Sequence, residues 1–380
     1  MKPLEGYLVL DFTQYLAGPY AALRLADLGA HVLKIENPNG GDLYRSLNIS
    51  NLRIDGDQPL IHAANRNKES LAIDLKDPEQ RPMLEQLIRK ADVVLINFRP
   101  SVVKKLRLDY ETVTAINPKI VYGSISGYGT EGPWAERPGQ DLLVQSVSGL
   151  AYLNGNRDQP PLPMGVGVTD IVAGEQLVQG VLGGLYSSGV TGEGVKVDVS
   201  LLEAALDMQF EGLTAFLNDG ELPVRGKVNN ANPYIDAPYG IYATKDGYIA
   251  LAMTPIPRLG ELIDCKPLES YTDPLSWNIQ KDEIKQILVD HLKQQTTEYW
   301  LSILEPADIW CADVMNWDQL MESEGFKALQ MVQETVTGNG VPVKTLRCPI
   351  RIDGERYFSK KGAPKVNEHD EAALQKLLQD

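Results

Sequence analysis

Cysteine is scarce in this chain and unpatterned: Cys265, Cys311 and Cys348 stand far apart, with no CxxC pair. That spacing excludes a disulfide framework and a zinc ribbon, and it leads us to expect a reducing, cytoplasmic compartment. His31, His62, His291 and His369 show no ligand spacing, so no metal is expected. HExxH, Walker A and GxSxG motifs are absent, which removes the main support for a metalloprotease, a P-loop NTPase or an α/β-hydrolase. No apolar run reaches the roughly 18 residues of a membrane span. The chain enters strand-like Tyr7 to Phe12 without a charged leader, so a soluble, unexported protein with no membrane partner is expected. Positive charge is also short. With 36 Lys and Arg against 51 Asp and Glu, the net charge of −15 repels polyanions and argues against a nucleic-acid partner.

What is present is an alternation of strand and helix. Leu8 to Phe12 is a short apolar strand, Thr13 to Gly18 a loop, and Pro19 suits a first helical turn, where its missing N–H is an orphan donor anyway. Ala30 to Ile35 reads as a second strand closed by Glu36. A helix capped by Asp77 puts Met83, Leu84, Leu87 and Ile88 on one face. The strand Val93 to Phe98, a basic helix Ser101 to Leu108, a short helix Tyr110 to Ile116 and the strand Ile120 to Ser126 follow. This order predicts an α/β fold with a doubly wound, Rossmann-like parallel sheet and ligand sites outside the carboxyl ends of its strands.

Further along, Gly127 to Gly139 is a long loop and Ile171 to Tyr186 a buried, glycine-interspersed helix. Val195 to Val199 alternates like a strand, and Ser200-Leu201-Leu202-Glu203 is a capping box. Residues 1–205 are read as the first part of a large domain and 206–226 as a linker helix. Residues 227–328, with a hairpin signal at Lys245-Asp246-Gly247, are read as a small α+β domain, and 329–380 as a return to the large one.

Asp170 is the sharpest single position. It follows the glycine-rich run Gly165 to Thr169 and precedes the buried helix, so its carboxylate is expected among unpaired N–H groups and ionised. An ionised carboxylate in a partly dry site can attack an activated acyl carbon, whereas the same position also suits an ordinary helix cap. The first strand–helix turn, Thr13 to Pro19, lacks GxGxxG. Glu36 therefore reads as a solvated strand-end acid rather than a ribose ligand, and NAD binding finds little support. From His62 to Arg107, ten basic residues stand against six acids, the asymmetry a phosphorylated ligand requires and also one a solvated helix face explains.

Several segments together resemble the family III CoA-transferases, a group that includes the α-methylacyl-CoA racemases. They are Val9 to Thr13 with Ala17-Gly18-Pro19, Gly41-Asp42 with Arg45, Asn67-Lys68-Glu69-Ser70, Asn97-Phe98-Arg99-Pro100, Ser126 to Gly129, Asp170, and Gly192-Glu193-Gly194 to Glu203. The resemblance implies that Asp170 is the nucleophile of an acyl-CoA site. It implies CoA contacts from Tyr15, Leu16, Ala17, Leu71, Asn97, Phe98 and Lys105, with Asn67, Lys68 and Arg99 in the same set. It also implies an interlocked homodimer. CoA and acyl-CoA enter as substrates, no cofactor is held permanently, and a carboxylic acid is the second small-molecule partner.

Two departures narrow the expectation. Where the racemases carry a proton-transferring histidine this sequence has Gln140, and an amide cannot exchange protons near neutral pH. Transferase chemistry through an aspartyl-CoA thioester is therefore favoured, with Gln140 as a candidate oxyanion donor. A racemase-like enzyme and a catalytically silent CoA-binding protein are the alternatives. Leu16 replaces the glutamine of formyl-CoA transferase, which argues against formate and oxalate as substrates.

Overall fold

Alternation along the first strand sorts its side chains onto two faces. Val9 joins one buried cluster, while Leu8 and Leu10 join another. The computed structural model describes residues 2–379. Six parallel strands, β1 (Leu8–Asp11), β2 (His31–Glu36), β3 (Glu69–Ala72), β4 (Val93–Ile96), β5 (Val121–Ser126) and β6 (Val195–Ser200), form one sheet in the order β3-β2-β1-β4-β5-β6. The chain order reverses between β1 and β4, the place where doubly wound sheets open a crevice at their carboxyl ends.

Helices cover both faces. α1 (Ala17–Asp27) shares a core with β1, β4 and β5, while α2 (Pro59–Asn65) lies outside both sheet clusters. On the opposite face, α3 (Arg81–Lys90), α4 (Pro100–Lys105) and α5 (Tyr110–Ile116) contribute Leu84, Leu87, Ile88, Val103 and Val113. After α6 (Asp141–Val147) and the single turn α7 (Leu150–Leu153) comes α8 (Val168–Thr191), the long helix that precedes β6. α8 lies against the sheet through glycines. A Cβ on Gly184 would stand 2.8 Å from Val121 Cγ1, one on Gly180 would run into Val197, and one on Gly174 would lie 2.8 Å from the Ala17 carbonyl oxygen. Of the predicted capping box, the serine half opens α9 (Leu201–Asp207): Ser200 Oγ accepts from the Glu203 N–H at 3.1 Å, and the Glu203 carboxylate accepts from Ser200 Oγ at 2.6 Å.

The chain divides into two compact units. The first comprises the chain up to Val144, Gly167–Met208 and the chain from Ala328 onward. The second comprises Gln145–Val166 and Gln209–Lys327. Residues 145–166, assigned from the sequence to the large domain, are held in the second unit by polar ties. The Arg225 guanidinium donates to the carbonyls of Asn154 and Gln159, and Asn230 Nδ2 donates to those of Leu153 and Gly155. The expected linker helix over 206–226 is replaced by the end of α9 and by α10 (Phe210–Asp219), which Gly220 closes in the left-handed region at φ +73°. The hairpin is present as β7 (Gly240–Ala243) and β8 (Tyr248–Leu251), and β9 (Cys311–Asp313) pairs with β8 as an antiparallel third strand.

Candidate active site

Because all six strands run parallel, their carboxyl ends share one edge, and the loops after β1, β2, β4 and β5 gather there. The loop after β1 is anchored across the switch point. Gln14 N–H donates to Asn97 Oδ1 at 2.9 Å, and Asn97 Nδ2 donates back to the Gln14 carbonyl at 2.7 Å. Tyr15 follows in the left-handed region at φ +68°, its N–H held by Asp42 Oδ1 at 3.2 Å. Asp42 also accepts from Tyr44 N–H and meets Lys34 Nζ at 3.0 Å.

A buried ionic cluster lies beneath this loop. Lys68 Nζ meets Asp11 Oδ2 at 2.9 Å and donates to the Pro19 carbonyl and Asn65 Oδ1, while Lys34 Nζ donates to the Thr13 carbonyl. Burial would raise the Asp11 carboxyl, but Lys68 and Lys34 outweigh it and hold the group below its ordinary value. Burial pushes Lys68 down to about 8 against the pull of Asp11. Lys68 is thus a scaffold cation with every donor engaged inside the protein, not an exposed ligand contact. Glu36, read from the sequence as a solvated strand-end acid, is likewise buried. It takes a bidentate pair from Arg45, 2.9 Å on each oxygen, and a bond from Ser70 Oγ at 2.6 Å.

Asp170 stands in the first turn of α8, at its third residue, rather than ahead of the helix as expected. Gly167 caps the helix without a side chain and lets Leu16 come close beside the carboxylate. A Cβ there would lie 3.0 Å from Leu16 Cδ2 and 3.6 Å from Asp170 Oδ2, so the leucine methyl and the carboxylate border the same point. Burial pushes Asp170 up to about 7, and the negative charge of Asp141 adds to the shift. The expectation of a carboxylate held firmly ionised is corrected by that desolvation. Asp141 fixes the helix end, its Oδ1 accepting from both the N–H and the Oγ1 of Thr169 at 2.8 Å.

Other residues singled out in the sequence fall in different places. Ala17 is buried against α8, and Leu71 is a core residue on β3. Asn67 precedes β3 at the amino edge of the sheet and donates to the Ala26 carbonyl at 3.0 Å, so it lies at the opposite edge from Asp170. Phe98 is half-buried behind β4, whereas Arg99 and Lys105 are exposed and pair with no acid among the described residues. The Gln140 side chain is exposed, and its carbonyl accepts from Val144 N–H in the first turn of α6. It ends a loop closed by Gly127 and Gly139, where a Cβ on Gly127 would lie 2.5 Å from Gly139 Cα. The sequence reading missed Tyr44 and Asp141 as site residues, although both lie in or beside stretches it singled out, Gly41-Asp42 with Arg45 and the loop ending at Gln140.

No helix among the described residues is long and apolar enough to cross a membrane, and no cluster of three or more His, Cys, Asp or Glu there could hold a metal ion.

The family model described as CoA-transferase family III matches residues 4–370. A succinate–glutarate CoA-transferase of Agrobacterium fabrum is 31% identical, over 99% of this chain and 96% of its own. A succinyl-CoA:mesaconate CoA-transferase of Haloarcula marismortui is 35% identical, over 97% and 95%. The crystal structure of a CaiB/BaiF family protein from Brucella suis superimposes with a TM-score of 0.84 at 30% identity, covering 99% of each chain.

Proposed function

The chain belongs to CoA-transferase family III, an enzyme that moves CoA from an acyl-CoA donor to a carboxylic acid, and we propose that it does so through an aspartyl-CoA thioester on Asp170. The observation that carries this reading is the half-dry position of that carboxylate, bordered by Leu16 and raised to about 7. A nucleophile with a pKa near the working pH is both available as the anion and poorly solvated, hence reactive.

One Asp170 oxygen attacks the donor carbonyl, the C–S bond breaks, and CoA departs as thiolate. The thiolate then attacks the Asp170 carbonyl of the resulting anhydride, releasing the first acid as carboxylate and leaving CoA on the enzyme. The acceptor carboxylate runs both steps in reverse. The side-chain amide of Gln140 is proposed to donate to the oxyanions. Arg99 and Lys105, on and after the β4 loop, together with Lys76 beyond β3, supply positive charge at the carboxyl edge for the CoA phosphates. Holding the nucleotide remotely makes each acyl step effectively intramolecular.

The working unit is proposed to be a cytoplasmic homodimer. α10 buries none of its residues although it carries Phe210, 63% exposed, and Leu217, 77% exposed. Apolar surface of that extent on a helix calls for a covering partner.

The succinate, glutarate and mesaconate of the relatives' names are the first acids to test. Incubated with succinyl-CoA and no acceptor, the enzyme gains the mass of CoA less one water on the peptide carrying Asp170, and adding glutarate discharges it. Modification elsewhere, or none, overturns the mechanism. The same carboxylate dictates a pH profile: kcat/KM for the donor rises about tenfold per pH unit on the acid side and levels off above about pH 7. A flat profile from pH 5.5 to 8.5, as roughly bracketed by that pKa, contradicts the assignment.

A further inference from the structure

Tyr44 lies on the short 3-10 turn Leu43–Arg45, which the buried Asp42 caps. Its side chain is 9% exposed, and its ring meets the edge of Tyr15 with centroids 6.0 Å apart. Tyr15 adjoins Leu16, whose methyl borders Asp170. Buried tyrosines ordinarily find a partner for the hydroxyl. Tyr44 Oη pairs with no protein group among the described residues and keeps solvent access, so it is free to meet a ligand, while the backbone of the same residue is fully used, its N–H on Asp42 and its carbonyl accepting from Gln58 Nε2. Burial first, then the negative charges of Asp170 and Asp42, push the phenol up to about 12, so it keeps its proton and can only donate to an anion.

We propose that Tyr44 is a further substrate-binding residue of the transfer reaction, its hydroxyl donating a hydrogen bond to the carboxylate of the acid that enters or leaves beside Asp170. The inference rests on the proposed chemistry at Asp170. The acid enters or leaves while Asp170 is acylated and uncharged, but its carboxylate still comes out of water under the negative fields of Asp141 and Asp42, and that demands a donor. A neutral phenol answers it without pairing with Asp170 and quenching the nucleophile, as a lysine or arginine would. The leaving acid occupies the same place as the incoming one, so both half-reactions use the contact.

In Tyr44→Phe, the loss of a hydrogen bond to a charged group is expected to lower kcat/KM for the acceptor acid by about 10- to 100-fold. Release of the first acid from acyl-CoA slows by a similar factor. The affinity for free CoA and the thermal midpoint stay within about twofold and a few degrees of the parent. An unchanged kcat/KM for the acid overturns the proposal. So does a fall in CoA affinity that matches the fall in turnover, which marks a merely structural role. If Asp170→Asn is inactive while Tyr44→Phe is normal, this inference alone fails. If Asp170→Asn remains active, the reading beneath it fails.

Discussion

Asp170→Asn abolishes CoA transfer, by at least about 10⁴-fold, and at the same time makes the protein more stable at alkaline pH. The two effects have one cause. The carboxyl sits near 7 in the folded chain because burial, and then Asp141, disfavour its charge. In the unfolded chain it titrates at about 3.9. Between those values unfolding releases a proton that the folded state retains, so stability falls as pH rises through the window, and above about pH 7 the fold carries the full cost of the buried charge. Allowing for water in the open site, that cost is on the order of 2 kcal/mol. The neutral amide avoids it. Denaturant unfolding at pH 8 is therefore expected to show Asp170→Asn more stable than the parent by that amount, with the gap closing near pH 4, where both side chains are uncharged. A variant less stable than the parent at pH 8 refutes the electrostatic account, and retained turnover in Asp170→Asn refutes the nucleophile. Asp170→Ala serves as the control for slow deamidation.

Lys68→Met is expected to cost about 3–5 kcal/mol of stability, because it strands Asp11 as an uncompensated charge in the sheet interior. Its other cation, Lys34, is 4.0 Å away and already bound to Asp42 at 3.0 Å. Pairing the change with Asp11→Asn recovers much of the loss, since the double variant leaves no orphan charge, and the double-mutant cycle measures the coupling. Lys105→Ala, by contrast, weakens CoA binding without touching stability, because its ammonium group is exposed and pairs with no acid. If Lys68→Met instead unfolds like the parent and binds CoA poorly, the residue is a ligand contact and not part of the scaffold.

These contrasts show where sequence alone is informative. β1, β2, β4 and β5 are legible because each is a short apolar run between turn residues, and β6 because Val195, Val197 and Val199 alternate with polar partners. β3 escapes such a reading. It is four residues long, begins Glu-Ser, and sits at the sheet's edge, where one side needs no apolar neighbour. The Asp170 site is legible through its glycine-rich approach and through the ordered series of motifs. Its electrostatics are not, because Asp141 and Tyr44 are coupled to it from 29 and 126 positions away, and no local pattern reports interactions of that range. Charge counting likewise groups Lys68 with Arg99 and Lys105, although folding turns one inward and leaves the others in solvent.

The glycine seam of α8 bears on how such an enzyme can change what it accepts. With Gly174 against the Ala17 carbonyl, and Gly180 and Gly184 against the sheet, the rod carrying Asp170 cannot be lifted, lowered or rotated by a modest substitution without a collision. The altitude of the Asp170 carboxylate above the strands is thereby a constant of the architecture. On the proposed chemistry, new substrates must be met by redecorating the walls around that point, at Leu16, Tyr44 and the loop that ends at Gln140, while the anvil itself stays where it is.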